Sequence, residues 1–197
     1  LTLPRIGPVT LEGRAATLVP LDRSHHDELC AAASEGALWE LWYTSVPSPV
    51  GMAAEIERRL ALAAAGSMVP FTVLRDGRAV GMTTYMHVDH VHQRLEIGST
   101  WLAASAQRTG VNTTCKRLLL GHAFDTLACI AVELRTHWMN HQSRRAIERL
   151  GAKLDGVLRS HQRLPDGSLR DTCVYSITAA EWPAVRAHLD HRLARLP

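Results

Sequence analysis

Apolar and polar positions alternate through the middle of the chain. Val69, Phe71 and Val73 lead to Asp76-Gly77, and Val80, Met82, Thr84 and Met86 follow. A period of two on both sides of an Asp-Gly pair predicts an antiparallel hairpin. After a turn around His90 to Arg94, Leu95, Ile97, Ser99 and Trp101 face one way and Glu96, Gly98, Thr100 and Leu102 the other, which predicts an adjoining strand. Ahead of the hairpin the period is 3.6. Between Pro49 and Ala65, Met52, Ile56, Leu60 and Ala63 share one face, while Glu55, Glu57, Arg58 and Arg59 lie elsewhere, as in an amphipathic helix. Nearer the start, Thr10 to Leu21 reads as a strand and Asp22 to Ala33 as a helix.

The second half alternates element types. A helix from about Asn112 to Leu127 turns Cys115, Leu118, Leu119, Ala123 and Leu127 inward, and the strand Ile130 to Thr136 follows it, giving a β-α-β crossover. Asn140 suits the N-cap of a short helix with Ala146, Ile147 and Leu150 on its apolar face, and Gly151 stands where a C′ glycine ends it. Val157 to Leu164, the turn Pro165-Asp166-Gly167 and Thr172 to Ile177 form a closing hairpin, followed by a helix from Ala179 to about Leu193. No repeat or flexible linker interrupts this order, and 197 residues suit one domain spanning 1–197.

Composition narrows the class. With 46% apolar and 21% charged residues, the chain is neither disordered, collagen-like nor a coiled coil. No stretch approaches the roughly 20 apolar residues of a membrane span. The opening LTLPRIGPVT has no long apolar run and does not read as a signal peptide, so the expected compartment is the cytoplasm. The four cysteines Cys30, Cys115, Cys129 and Cys173 form no C-x-x-C pair and read as buried thiols. A net charge of +3, with 19 acidic residues interleaved among 22 basic ones, does not imply a nucleic-acid partner.

The stretch Gln107-Arg108-Thr109-Gly110-Val111-Asn112-Thr113 lies between a strand and a helix start. Such a start exposes free N–H groups at the positive end of the helix dipole, and Gly110 lets a ligand approach the backbone, so a diphosphate fits here, with Arg108 adding charge. An ordinary strand-to-helix turn with an Asn cap fits the same letters. Neither the P-loop nor the G-x-G-x-x-G fingerprint is present.

This segment resembles the coenzyme A motif Q/R-x-x-G-x-G/A of the GCN5-related N-acetyltransferase superfamily; Gln107 and Gly110 match, and Asn112 replaces the last small residue. Leu95-Glu96-Ile97-Gly98, Thr100-Trp101-Leu102 and the run from Asn140 to Ala152 are similar to the branch that includes the ribosomal-protein acetyltransferases RimJ and RimL. The likeness extends from about Leu11 to Ile177. It implies a mixed α+β fold: a mostly antiparallel, twisted sheet of about seven strands, a parallel and splayed pair formed by the fourth and fifth, and helices on both faces.

It also implies chemistry. The pantetheine arm of acetyl-CoA would enter between the strand ending at Thr100, Trp101 and Leu102 and the strand at Ile130, with its diphosphate on Gln107 to Thr113. An incoming amine must be neutral to attack the thioester, and a carboxylate is a usual base. Glu96 is the candidate, with Gly98 leaving room beside it; a buried Glu paired with an Arg is the plainer reading of the same residue. Ser143, matching the serine of the Asn-x-x-Ser helix start in the RimL-like branch, would protonate the leaving thiolate, and Asn140 would bind pantetheine. Capping alone also accounts for Asn140 and Ser143. The expected acceptor is a primary amine, preferably the α-amine of a peptide or protein and otherwise a small-molecule amine. A non-catalytic acyl-CoA sensor is the reading from another class, and RimJ- and RimL-like enzymes suggest a homodimer.

Of the eleven histidines, His87, His90 and His92 crowd together with Asp89 at a predicted hairpin tip. They read as a solvated polar turn, or as a metal site in a regulatory protein, and no metal is expected for acetyl transfer. His137 and His141 flank the Asn140 cap. Trp39, Trp42 and Tyr43 either enter the core or line an acceptor groove.

Overall fold

Gly13 splits the first apolar stretch in two. Its N–H donates to the Ala16 carbonyl at 3.1 Å, so the segment read as one strand doubles back as β1 (Leu11–Glu12) and β2 (Thr17–Pro20). A side chain at Gly13 would meet Thr114 Cγ2 at 2.6 Å, so this turn has room only for a glycine. The computed structural model describes residues 3 and 6–196, and part of the opening segment LTLPRIGPVT therefore lies outside the described residues. The remaining elements are α1 (His26–Ser34), α2 (Met52–Ala64), β3 (Met68–Arg75), β4 (Arg78–Asp89), β5 (Arg94–Leu102), α3 (Val111–Gly121), β6 (Ala131–His137), α4 (His141–Glu148), β7 (Lys153–Arg163), β8 (Leu169–Thr178) and α5 (Trp182–Ala194).

Among the described residues eight strands form one sheet in the order β1-β2-β3-β4-β5-β6-β8-β7. The extra strand at the front makes the parallel pair β5/β6 rather than the fourth and fifth; every other pairing is antiparallel. Asp76 and Gly77 both take positive φ, 51° and 78°, as a two-residue turn between right-twisted strands requires.

The pairing partners define two faces. Tyr85, Ile97, Leu95, Val132, Leu134 and Tyr175 share one, covered by α3 and α4: Tyr85 Oη donates to the Leu119 carbonyl at 2.6 Å and Tyr175 Oη to Glu148 at 2.8 Å. Met82, Thr84, Met86, Gly98, Glu96, Glu133, Arg135 and His137 share the other. There α2 packs on β3 and sends Arg59 to Thr84 of β4. Both faces of the central strands are buried, with Leu18, Phe71, Val73, Met82, Tyr85 and Leu119 fully enclosed, and each such side chain contributes about 1.5–3 kcal/mol of burial.

Three departures from simple periodicity matter for the site. Ser99, at φ 47°, is an extra residue in β5: Gly98 pairs with Thr84 but Trp101 with Met82. The alternation expected from Leu95 to Leu102 therefore breaks, and Trp101 faces the same side as Glu96 instead of Ile97. Arg59, expected on the polar side of α2, is 1% exposed. The helix expected to run to Leu127 ends at Gly121 and widens into a π-helical turn over His122–Thr126, where Phe124 stacks on Trp182 at 5.3 Å.

Candidate active site

The parallel pair opens a cleft. β5 and β6 are paired only at Arg94 with Ala131, Leu95 with Val132 and Glu96 with Glu133; beyond these no pairing joins Ile97–Leu102 to Leu134–His137. A bulge bends its strand and sharpens the local twist, and the Ser99 bulge sits on the part of β5 that leaves β6. The carboxyl ends of both strands then lead straight into helices, β5 through Gln107 to α3 and β6 through Asn140 to α4. In open sheets ligands bind at such carboxyl ends. Thr100, Trp101 and Leu102, the loop Gln107 to Thr113, Asn140 and Ser143 thus gather at one rim, with Glu96 at the base of the cleft.

On the rim, Gln107 Nε2 donates to the Leu102 carbonyl at 3.0 Å and Thr109 Oγ1 to the Ala106 carbonyl at 2.7 Å, tying the loop to the strand end. Arg108 and Gly110 take positive φ, 61° and 92°. The cap of α3 is Gly110, not Asn112, which lies in the first turn; no side chain caps the helix, so its leading N–H groups are left for a ligand or water. Arg108 is exposed beside them. Leu196 closes on the loop from the end of α5: a Cβ on Gly110 would lie 2.3 Å from its Cδ1.

Across the cleft, the Asn140 carbonyl Oδ1 accepts the Ser143 N–H at 3.0 Å, the capping geometry that its sequence position suggested. Ser143 is half-buried at the start of α4.

Glu96 is 6% exposed and lies in a network of charged groups. Its Oε2 is 2.8 Å from His87 Nδ1 and 3.5 Å from Arg135 Nε. Arg135 also donates to Glu133 Oε2 at 2.7 Å, and Arg94 pairs with the other Glu133 oxygen. Arg170 stands by: burial pulls its guanidinium down, and the charge of Glu96 opposes that. Glu96 is thus a buried, arginine-paired carboxylate that also faces the cleft. Any side chain at Gly98 would come within 2.8 Å of Glu96 Oε1, so the glycine does leave the room expected of it.

Sequence reasoning missed Glu133, Arg135 and Arg170, although alternation along β6 and β8 puts them on the face of Glu96. It also missed Lys116, whose Nζ donates to Thr100 Oγ1 at 2.7 Å and which burial lowers to about 8. The histidine cluster divides: His87 goes to Glu96, His90 to the Leu3 carbonyl at 3.0 Å and His92 to Asp89 at 2.9 Å. Among the described residues no three His, Cys, Asp or Glu side chains are grouped to hold a metal ion.

The model of the acetyltransferase (GNAT) domain matches residues 16–153, a span that contains the splayed strands, the glycine loop and α4. The chain belongs to the GNAT acetyltransferase family. This GNAT chain has relatives in the RimJ-like branch. It is 31% identical over 110 residues to a Bacillus subtilis protein named "Putative ribosomal N-acetyltransferase YdaF"; the match spans 56% of this chain and 59% of the relative, less than two thirds of the relative's length. A GCN5-related N-acetyltransferase from Brucella melitensis superposes with a TM-score of 0.89 at 28% identity, over 98% of this chain and 89% of that one. Mycobacterium smegmatis RimJ, solved with CoA-disulfide, gives 0.78 at 25% identity over 96% and 94%.

The GNAT chain has one more feature at its cleft. Trp42 and Tyr43, from the connection between α1 and α2, stay out of the core; Trp42 is 53% exposed and meets the His137 ring edge-on at 5.2 Å. No helix among the described residues is long and apolar enough to cross a membrane.

Proposed function

We propose that this chain, as one cytoplasmic acetyltransferase domain, transfers the acetyl group of acetyl-CoA to the α-amine of a peptide or protein N-terminus. The observation that carries the proposal is the splay of β5 from β6, with an uncapped helix start on its rim and the Glu96 carboxylate at its base. The diphosphate meets the N–H groups around Gly110, the pantetheine lies along Thr100 to Leu102, and the thioester faces the acceptor. Solved RimJ, similar over nearly the whole chain, holds a form of coenzyme A, and the named relative YdaF favours a ribosomal protein as acceptor.

In the reaction the neutral amine nitrogen attacks the thioester carbonyl. Its excess proton passes to Glu96, directly or through water, and the oxyanion is held by backbone N–H near Leu102. Collapse breaks the C–S bond, and the thiolate takes a proton through the Ser143 hydroxyl, which regains one from water as Glu96 gives its proton back to solvent. No acyl-enzyme forms, and Asn140 serves pantetheine in addition to its cap.

The test is acetyl-CoA-dependent release of free thiol with short peptides of different N-termini and a matched set of small amines. Release with peptides is expected. Release with small amines alone reassigns the acceptor, and thermal stabilisation by acetyl-CoA with no release in either set makes the protein a sensor. Glu96→Gln should lower kcat with acetyl-CoA binding retained, and unchanged turnover excludes Glu96 as base.

A further inference from the structure

His137 ends β6 with an unused donor. The ring is 4% exposed. Its Nδ1 accepts the Met139 N–H at 3.0 Å, so in the neutral ring the proton sits on Nε2, and Nε2 is buried with no hydrogen-bond partner. Burial, aided by Arg170 and opposed by Asp171, holds the imidazole below its ordinary value and keeps it neutral at pH 7. A buried donor without an acceptor costs roughly 1–3 kcal/mol, and such a group calls for an explanation. The rings packed on it, Trp42 at 5.2 Å and Tyr43 at 6.4 Å, lie outside the helices and strands, just after a short 3-10 turn at Leu38–Glu40, and Trp42 is half in solvent.

Position supplies the rest. His137 lies on the sheet face of Glu96 and Glu133, four residues along β6 from the level where Glu96 and Glu133 pair. At about 3.3 Å per residue that is roughly 13 Å. Side chains shorten this gap, but a single amine held at Glu96 does not cross it. An extended peptide does, since it advances at the same rate and presents a carbonyl oxygen at every residue.

We infer that the His137 Nε2–H binds a backbone carbonyl of the acceptor within its first few residues, with Trp42 and Tyr43 moving aside to flank the peptide, so that the site reads acceptor length. The inference rests on the proposed α-amine transfer. It makes His137 a recognition residue, with no part in moving protons.

The experiment compares an amide-capped tetrapeptide with the amide of its first residue alone. The wild-type chain should show the lower KM for the tetrapeptide. His137→Phe keeps the ring and removes the donor; it should raise the tetrapeptide KM about tenfold, the loss of one neutral hydrogen bond, and leave the KM of the single-residue amide and of acetyl-CoA in place. His137→Gln, which returns an N–H near the Nε2 position, should recover most of the loss. Inhibition by the desamino tetrapeptide should weaken in parallel, and His137→Met carries the same expectation if the Phe variant does not fold. An unmoved tetrapeptide KM in an active His137→Phe variant overturns the inference, as does a raised KM for acetyl-CoA, which would assign the donor to pantetheine. A wild-type chain that acetylates neither acceptor instead sinks the transfer reading itself.

Discussion

Arg59 Nη2 donates to the carbonyl oxygen of Ser99 at 3.2 Å, across 40 residues of chain. The same guanidinium holds Thr84 Oγ1 at 2.7 Å and Glu55 at 2.7 Å, so one buried side chain clamps the bulge of β5 to the helix α2. Burial lowers its pKa and Glu55 restores part of it. The bulge lies where β5 parts from β6, which ties the opening of the cleft to a charge in the core.

Arg59→Met should therefore act twice. Loss of a buried, paired charge typically costs 3–5 kcal/mol; Glu55 keeps Arg58 at 2.7 Å, so a cost of about 3 kcal/mol is expected in urea unfolding. With Ser99 released, the KM for acetyl-CoA should also rise. A variant that loses stability but binds acetyl-CoA unchanged would show that the bulge holds without its clamp.

Lys116 should show in the pH dependence of stability. Burial lowers it from 10.5 to about 8. Between those values the unfolded chain binds the proton and the folded chain does not, so this residue's contribution to stability rises with pH across the window and is unfavourable, by about 3 kcal/mol, below it. Burial raises Cys115 and Cys129, which pull the opposite way at high pH, so the measurement is the difference from Lys116→Met. The variant should be more stable at pH 7 and lose its advantage towards pH 10. Thr83 and Thr100 stay satisfied, since their hydroxyls already pair at 2.8 Å.

Gly98→Ala tests the room beside Glu96. The new Cβ would stand 2.7 Å from Met86 Sδ and 2.8 Å from Glu96 Oε1. Met86 can swing away, but Glu96 is held by His87 and Arg135 and must leave that position. The expected result is a kcat reduced about tenfold or more with acetyl-CoA binding retained, at about 1 kcal/mol of stability. Normal turnover would argue that Glu96 does not need its present geometry.

At Gly110 two effects must be separated. Any side chain is strained at φ 92°, and a Cβ also strikes Leu196. Gly110→Ala should weaken acetyl-CoA binding, read by calorimetry. Leu196→Ala relieves the contact only; added to Gly110→Ala, it should restore little affinity if the backbone angle matters and most of it if the α5 contact does.

Much of the fold was legible in the pattern. The Asp76-Gly77 hairpin, the β-α-β crossover, the Asn140 cap and the Gly151 stop all stand where local rules put them, because each depends on residues close in sequence. The splay did not show in the pattern. It depends on Ser99, an ordinary residue in an alternating run, adopting φ 47° while a distant arginine accommodates its carbonyl.

Sequence by itself determined the order of elements and the glycine loop at a helix start, since periodicity and turn chemistry are properties of neighbours. Only the tertiary structure decided the partners of the site's polar groups: Arg135 and His87 on Glu96, Lys116 behind Thr100 and the idle Nε2 of His137. Those contacts join residues from different strands and helices. Whether a polar group is paired or left alone in a low-dielectric interior is settled by what folding brings against it.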